Sequence, residues 1–452
     1  MRAKIIIAIA AILAAAFVYM RQSGSVPAGT PAERAAYVIE NNGCLDCHTY
    51  GGPKPWYASL PVASSILETD IRNGTRSIDL KIVLDELKSG KPVSEVDVSK
   101  LEYAVQYNQM PPLQYSLAHW STHLNSAEKD AILAWVRDAR AKFAAESGVA
   151  EEFANEPVRP LNPAPKVDPR KVALGRELYN DKRLSKDDTV SCATCHDLST
   201  GGVDRMRYSS GVDGQKGGIN APTVFNAAFN HRQFWDGRAA NLEEQAGGPP
   251  LNPVEMASSS WEEICAKLEK DAAFKQRFVA VYPDGFSGEN ICDAIAEFER
   301  TLVTPNARFD KYLKGDKNAL TRDELEGYEL FKAAKCATCH TGHNLGGLSF
   351  EYMGVLEDYF ADRGEATDAD KGLYNFEKHE RNIGKFKTPT LRNVAATAPY
   401  FHDGTVESLD KAAAHMLKYQ SGISLTQADI EKIVKFLNTL TGEYEGKPLS
   451  VK

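Results

Sequence analysis

Apolar positions along this chain recur at helical spacing, and no long stretch alternates with the two-residue period of a strand. The clearest amphipathic stretches are SAEKDAILAWVRDAR (Ser126 to Arg140), ICDAIAEFERTL (Ile291 to Leu302) and TQADIEKIVKFLNTL (Thr426 to Leu440). Ser126 is a suitable N-cap for the first, and Thr426 and Asp429 have capping-box spacing at the start of the last. Each stretch closes a module that another helical segment opens: Pro31-Ala-Glu-Arg, KVALGRELYND from Lys171, and DELEGYELFKAAK from Asp323. The second and third openings share a Gly, then Leu with an aromatic, then CATCH, a weak internal repeat. The pattern predicts a mainly α chain of three helical modules.

One stretch is apolar all round. Arg2 and Lys4 precede sixteen apolar or near-apolar residues, Ile5 to Met20, and Arg21 follows. As a helix it would span about 24 Å, slightly short of a bilayer core, with basic flanks that can snorkel. This predicts an N-terminal transmembrane helix within residues 1–25, a single-pass anchor in a bacterial inner membrane with the later domains in the periplasm. A cleaved signal peptide with Ala14-Ala15-Ala16 as its small-residue site is the competing reading, and both readings export the chain. Further on, NEPVRPLNPAPKVDP (Asn155 to Pro169) has five prolines in fifteen residues. Residues 151–169 are therefore expected to form an extended, stiff linker rather than packed chain. The expected domains are then 26–150, 170–318 and 319–452.

Cysteine spacing turns three modules into three cofactor sites. Six of the eight Cys fall in one motif: Cys44, Cys47 and His48 in CLDCH, then Cys192, Cys195, His196 and Cys336, Cys339, His340 in two copies of CATCH. Two thiols three residues apart reach the two vinyl groups of a haem as thioethers, and the adjacent His lies under the iron. Zinc knuckles would need two such pairs close together, whereas these motifs lie more than a hundred residues apart. The spacing implies three covalently attached c-type haems. The remaining two, Cys265 and Cys292, lie in one module, where a disulfide and two buried thiols are equally compatible readings. The net charge of −8 offers no basic stripe for nucleic acid.

A haem iron with only one His is open on its other face, and a Met there closes it and raises the potential. For the first haem Met110 in YNQMPPLQ is the candidate, held by a stiff Pro-Pro loop, with His119 and His123 as alternatives. For the third the candidate is Met416, with Met353 and His402 competing. The second has no comparable ligand: from Asp197 to Asn230 there is no His, and the only Met is Met206 in a Gly-rich loop. The second haem is the one expected to react.

SCATCH, INAPTVFNAAFNHRQFWDGRAANLEEQAGGPPLNPVEM and FKTPTLRNVAATAPYFHDGTVESL together resemble the bacterial di-haem cytochrome c peroxidases. With the extra N-terminal haem module the chain looks like their tri-haem, membrane-anchored, quinol peroxidase-like members. The resemblance implies a peroxidatic haem at Cys192, Cys195 and His196, and an electron-transfer haem at Cys336, Cys339, His340 and Met416. It implies Glu255 as catalytic acid/base, Gln245 in the distal pocket, and Trp235 between the two haems. It implies a Ca²⁺ site from Asn220 and the carbonyls of Thr397 and Pro399. Glu243 and Glu244, beside Gln245, read as surface charges. Hydrogen peroxide is the implied substrate, quinol or a small redox protein the donor, and a homodimer is open. Many two-haem members carry a His in the loop after the peroxidatic motif that blocks the iron until the other haem is reduced. This chain has none there, so little or no reductive activation is expected. Two rivals remain: a related oxidase that modifies a partner protein's side chains, against which Met416 argues, and a multihaem electron carrier without catalysis.

Overall fold

The computed structural model describes residues 25–52, 54–112, 115, 122–145 and 147–450. It is helical, with two-stranded antiparallel pairs as its only sheets among the described residues. The chain divides into two compact units, one within residues 1–145 with 154–157, the other 146–153 with 158–452. The expected membrane-anchored architecture is corrected here. Among the described residues no helix is long and apolar enough to cross a membrane, and residues 1–24, which carry the expected anchor, lie outside the description. The inner-membrane placement falls with it.

In the first unit the helix Pro31–Asn41 packs against Ser126–Ala144. Ala35, Val38 and Ile39 meet Ala131, Ile132 and Trp135 in one buried cluster. Both helices start with a reciprocal capping box, Thr30 with Glu33 and Asn125 with Glu128. The second cap corrects the expected Ser126 by one residue, because Asn125 is the position whose backbone is still extended.

The second unit contains the same pairing twice. Helix Pro169–Tyr179 crosses Gly288–Glu299, and Arg322–Ala333 crosses Gln427–Asn438. Both crossings turn on a glycine. A Cβ at Gly175 would lie 1.8 Å from the Ala294 carbonyl oxygen and 2.9 Å from the Phe298 Cβ; at Gly327 it would lie 2.0 Å from the Lys432 oxygen and 3.1 Å from the Phe436 Cβ. Four residues after each glycine an aromatic completes the contact, Tyr179 on Phe298 and Phe331 on Phe436, both with centroids 5.2 Å apart. The repeat seen in the sequence is thus a repeated helix crossing. Thr426 and Asp429 form the capping box that their spacing predicts.

The proline-rich stretch is extended but not free. Val158, Arg159 and Leu161 are buried, Val158 bridges Gly342 in parallel, and the Arg159 amide donates to the Gly342 carbonyl at 3.2 Å. Arg392, fully buried, pins it by donating to the Arg159 carbonyl at 2.9 Å and to the His343 carbonyl at 3.0 Å while pairing with Asp310 at 2.6 Å. Proline content signalled extension, while burial follows from the apolar Val158 and Leu161 between the prolines. Cys265 and Cys292 are both free thiols.

Two expectations concern this packing. Gly175→Ala or Gly327→Ala must push the two helix backbones apart, so each should cost about 1–3 kcal/mol or more and lower the unfolding temperature. Gly218, with open space around it, is the neutral control. Equal melting of all three variants with the parent would show that the helices are not held at these distances. The second concerns Glu299, which is buried with one oxygen unpartnered and whose pKa burial pushes up to about 8. A carboxyl with a raised folded-state pKa contributes stability at acid pH that is lost as pH rises through that value. Glu299→Gln should therefore gain on the parent in denaturant titrations as pH rises from about 5 to about 9, and converge with it in acid. Parallel pH curves would remove Glu299 from this role.

Candidate functional site

The three CxxCH motifs present their histidines alike. His48 Nδ1 lies 3.2 Å from the Ile78 carbonyl, His196 Nδ1 3.3 Å from Gly202, and His340 Nδ1 3.1 Å from Leu345. A ring that donates Nδ1–H to a carbonyl keeps its lone pair on Nε2, the tautomer an axial ligand needs. Burial lowers the pKa of all three rings, which keeps them neutral. Glycines make the carbonyls available. Gly201 and Gly202 turn with φ of +89° and +74° after His196, and Gly346 and Gly347 with +137° and +78° after His340. In the first unit Gly74 lets its helix close on the motif, since a Cβ there would sit 2.5 Å from the Cys47 oxygen.

The thiols fit haem attachment better than metal ligation. Burial pushes Cys44 and Cys336 up to about 12 and Cys47 up to about 11, and raises Cys192 and Cys195 as well. A thiolate metal site needs the opposite shift. Among the described residues no group of three His, Cys, Asp or Glu side chains could hold a metal ion.

Glu255 lies in the turn after Pro253, half-buried, with its Oε1 accepting from Asn252 Nδ2 at 2.7 Å. Burial raises its pKa, while Arg238 and the Asn252 bond oppose the rise. Its charge is one of those that raise the Cys195 thiol, after burial, so it lies near the second CxxCH motif. The turn is held by the Val212 amide donating to the Glu255 carbonyl at 2.8 Å, and at Gly211 a Cβ would lie 2.4 Å from that oxygen. Asn252 escaped the sequence reading. Its signal was an Asn three residues before a Glu across a proline, the spacing of an Asx turn, and its Oδ1 accepts from the Val254 amide at 3.2 Å. Gln245 sits half-buried on the short helix Leu242–Gly247. Of its acidic neighbours, Glu244 is exposed as expected and Glu243 is not. Glu243 is an ion-pair partner of Arg300 with an unpartnered buried oxygen, not a surface charge, and Glu244 accepts from the Ala240 amide at 2.7 Å.

Trp235 and Asn220 are brought together: the indole Nε1 donates to the Asn220 carbonyl at 2.9 Å. The Trp235 ring stands edge to face with His402 at 6.4 Å, and the Asn220 amide donates to the His402 carbonyl at 2.8 Å. His402 is buried, stacked on Phe386 at 4.1 Å, with Nε2 bonded to Asp370 at 2.8 Å. That bond commits the nitrogen an axial ligand would use, so His402 drops out as the alternative to Met416. Asp370 in turn is gripped by Arg363, which also holds Asp403 at 2.7 Å. The Asn220 Nδ2 donates to the Met206 carbonyl at 2.9 Å, leaving its Oδ1 without a hydrogen bond among the described residues. The Thr397 and Pro399 carbonyls likewise accept none.

Met416 ends the helix Leu409–Met416, half-buried, where the next turn widens to a π-helix over Leu417–Ser421. Such widened turns favour functional positions. Met353 follows the strand Phe350–Tyr352. Met110 is 42% exposed, just beyond the helix Glu95–Gln106. His123 is exposed, and His119 lies outside the described residues. Met206, 46% exposed, belongs to the His-free loop.

Three family models match stretches of the chain. A di-haem cytochrome c peroxidase model matches residues 169–318, a haem-binding domain 11–138, and a cytochrome c domain 325–441. A crystal structure of a MauG-like protein associated with microbial copper homeostasis superposes with a TM-score of 0.56 at 30% identity, covering 63% of this chain and 93% of that one. The chain is 45% identical to the cytochrome c551 peroxidase of Nitrosomonas europaea, covering 64% and 85%. It is 52% identical to cytochrome c peroxidase Ccp of Escherichia coli K12, over 91% of its own length and 90% of that protein's. With this last likeness spanning nearly the whole of both chains, the protein belongs to the di-haem cytochrome c peroxidase family and is a haem c peroxidase.

Proposed function

We propose that the protein reduces hydrogen peroxide in the periplasm, H₂O₂ + 2 e⁻ + 2 H⁺ → 2 H₂O, with three c-type haems. The observation that supports this is that the loop after the second motif, which offers no His, is bonded through the Val212 amide to the turn of Glu255, a carboxyl with a raised pKa. Cys192, Cys195 and His196 would hold a c-type haem, which would supply the iron chemistry for peroxide reduction. Glu255 takes the proton from one peroxide oxygen and returns it to the leaving one, with Gln245 orienting the peroxide. Cys44, Cys47, His48 and Met110 would hold a haem that takes electrons in, Cys336, Cys339, His340 and Met416 would hold one that relays them, and Trp235 would lie between that haem and the reacting one. Asn220, Thr397 and Pro399 hold a Ca²⁺ through the oxygens that lack hydrogen-bond partners. The donor is quinol or a small cytochrome, and steady-state turnover with each decides between them.

Glu255→Gln should lower turnover by about 10²–10⁴ while leaving haem content intact. Parent-like turnover would remove the carboxyl from the proton transfers. Since the Asn252 bond holds the Glu255 pKa down, Asn252→Ala should move the acid limb of kcat/KM to higher pH. An unmoved limb would assign it to another group. The oxidised protein as isolated should show a high-spin haem and turn over without prior reduction; a third six-coordinate, bis-His spectrum would contradict this.

A further inference from the structure

Lys387 is buried, with an exposure of only 6%. Among the described residues no carboxylate pairs with its ammonium, and burial alone sets its pKa, lowering it to about 8. A buried cation without a counter-ion is costly, so its place in the fold calls for an anion.

The short sheet sets the surroundings of the lysine. Lys387 pairs with Phe350 across the antiparallel strands, and residues directly opposite project to the same face. Phe350 packs its ring against His231 at 5.2 Å, and the His231 pKa senses the lysine charge. The neighbouring Phe386 takes the other face, stacked on His402. The Lys387 amide also donates to the Trp235 carbonyl at 2.9 Å. Two residues further on, about 7 Å of extended chain, the Pro389 backbone reaches the ring of His340. The lysine therefore leaves the segment that runs from Trp235 to the third CxxCH histidine.

We propose that Lys387 binds a propionate of the haem attached at Cys336 and Cys339, neutralising it next to Trp235. It is a positioning and potential-setting residue rather than a catalytic one. A fixed positive charge beside a haem favours its reduced state, which is the direction an electron-transfer haem needs. The inference rests on the reading that a c-type haem occupies this motif.

The test is a potentiometric titration of the full-length holoprotein with its haems, in the parent, Lys387→Met and Lys387→Arg. In Lys387→Met one of the haem midpoints should fall by about a tenfold change in its equilibrium constant, about 59 mV for one electron, and the others should stay. Lys387→Arg should restore it. Unchanged midpoints in Lys387→Met would overturn the proposal. A second measurement needs no variant. In the parent, a propionate-bound lysine keeps its proton, so no midpoint should fall between about pH 7 and about pH 9. A fall centred near the unpaired value of about 8 overturns the proposal even where the methionine variant does not fold. Mass measurement of the peptide holding Cys336 and Cys339 separates the two failures, since an unmodified peptide refutes the haem itself rather than the role of Lys387.

Discussion

Two backbones in contact at a glycine set the frame of each large module. At Gly175 and Gly327 the first helix lies so close to a carbonyl of the last that no side chain fits between them. The aromatic four residues later then packs its ring at a steep angle against a Phe of the last helix. In one module the consequence for the motif is direct, because Tyr179, fully buried on Phe298, donates from its hydroxyl to the His196 carbonyl at 2.6 Å. The crossing thus fixes the chain at the motif histidine, and the glycine turn after it fixes the ring. Tight packing sets tautomer and orientation together, which is what an axial ligand requires.

The elements legible in the sequence were those whose signal is local. The capping box of Thr426 and Asp429, the individual amphipathic helices, the CxxCH motifs and the repeated Gly-to-aromatic spacing all depend on residues within a few positions of one another. What escaped was set by partners distant in sequence. Glu243 reads as a surface charge until Arg300, fifty-seven residues on, is found against it. The prolines of residues 157–169 reveal an extended chain but not that Gly342 and Arg392 bury its start. His402 competes with Met416 on residue type alone, and only Asp370 at its Nε2 removes it. The apolar run before Arg21 illustrates the opposite limit: composition gives the length of a span, while a described helix of that length is what an anchor needs.

Burial acts on the charged groups of this unit in both directions. It raises Glu255 and Glu299 and lowers Lys387, in each case favouring the neutral form. What separates the three is the partner. Glu299 has an unpartnered oxygen, and the adjacent Arg300 pairs with Glu243 and Glu297 instead, so Glu299 can rest protonated as a packing group. Glu255 keeps Asn252 and Arg238 nearby, and both oppose the rise that burial causes. Lys387 has neither carboxylate nor amide to offset its charge.

The two related modules of the second unit then diverge through what faces their shared scaffold. Both hold a motif His by Nδ1 against a carbonyl and a glycine turn, so the proximal side does not distinguish them. The chain beyond each motif does. Near the second motif lie a loop without His and a carboxyl of raised pKa. In the third module a Met stands at the end of a helix whose next turn widens. A thioether closes an iron and holds its potential high, while an open face beside a proton carrier invites a small oxidant. A difference of that kind needs no change in the helix crossing. It needs only that the loop between the motif and the last helix be free to vary, and the glycine contact, which fixes those helices from the far side, leaves it free.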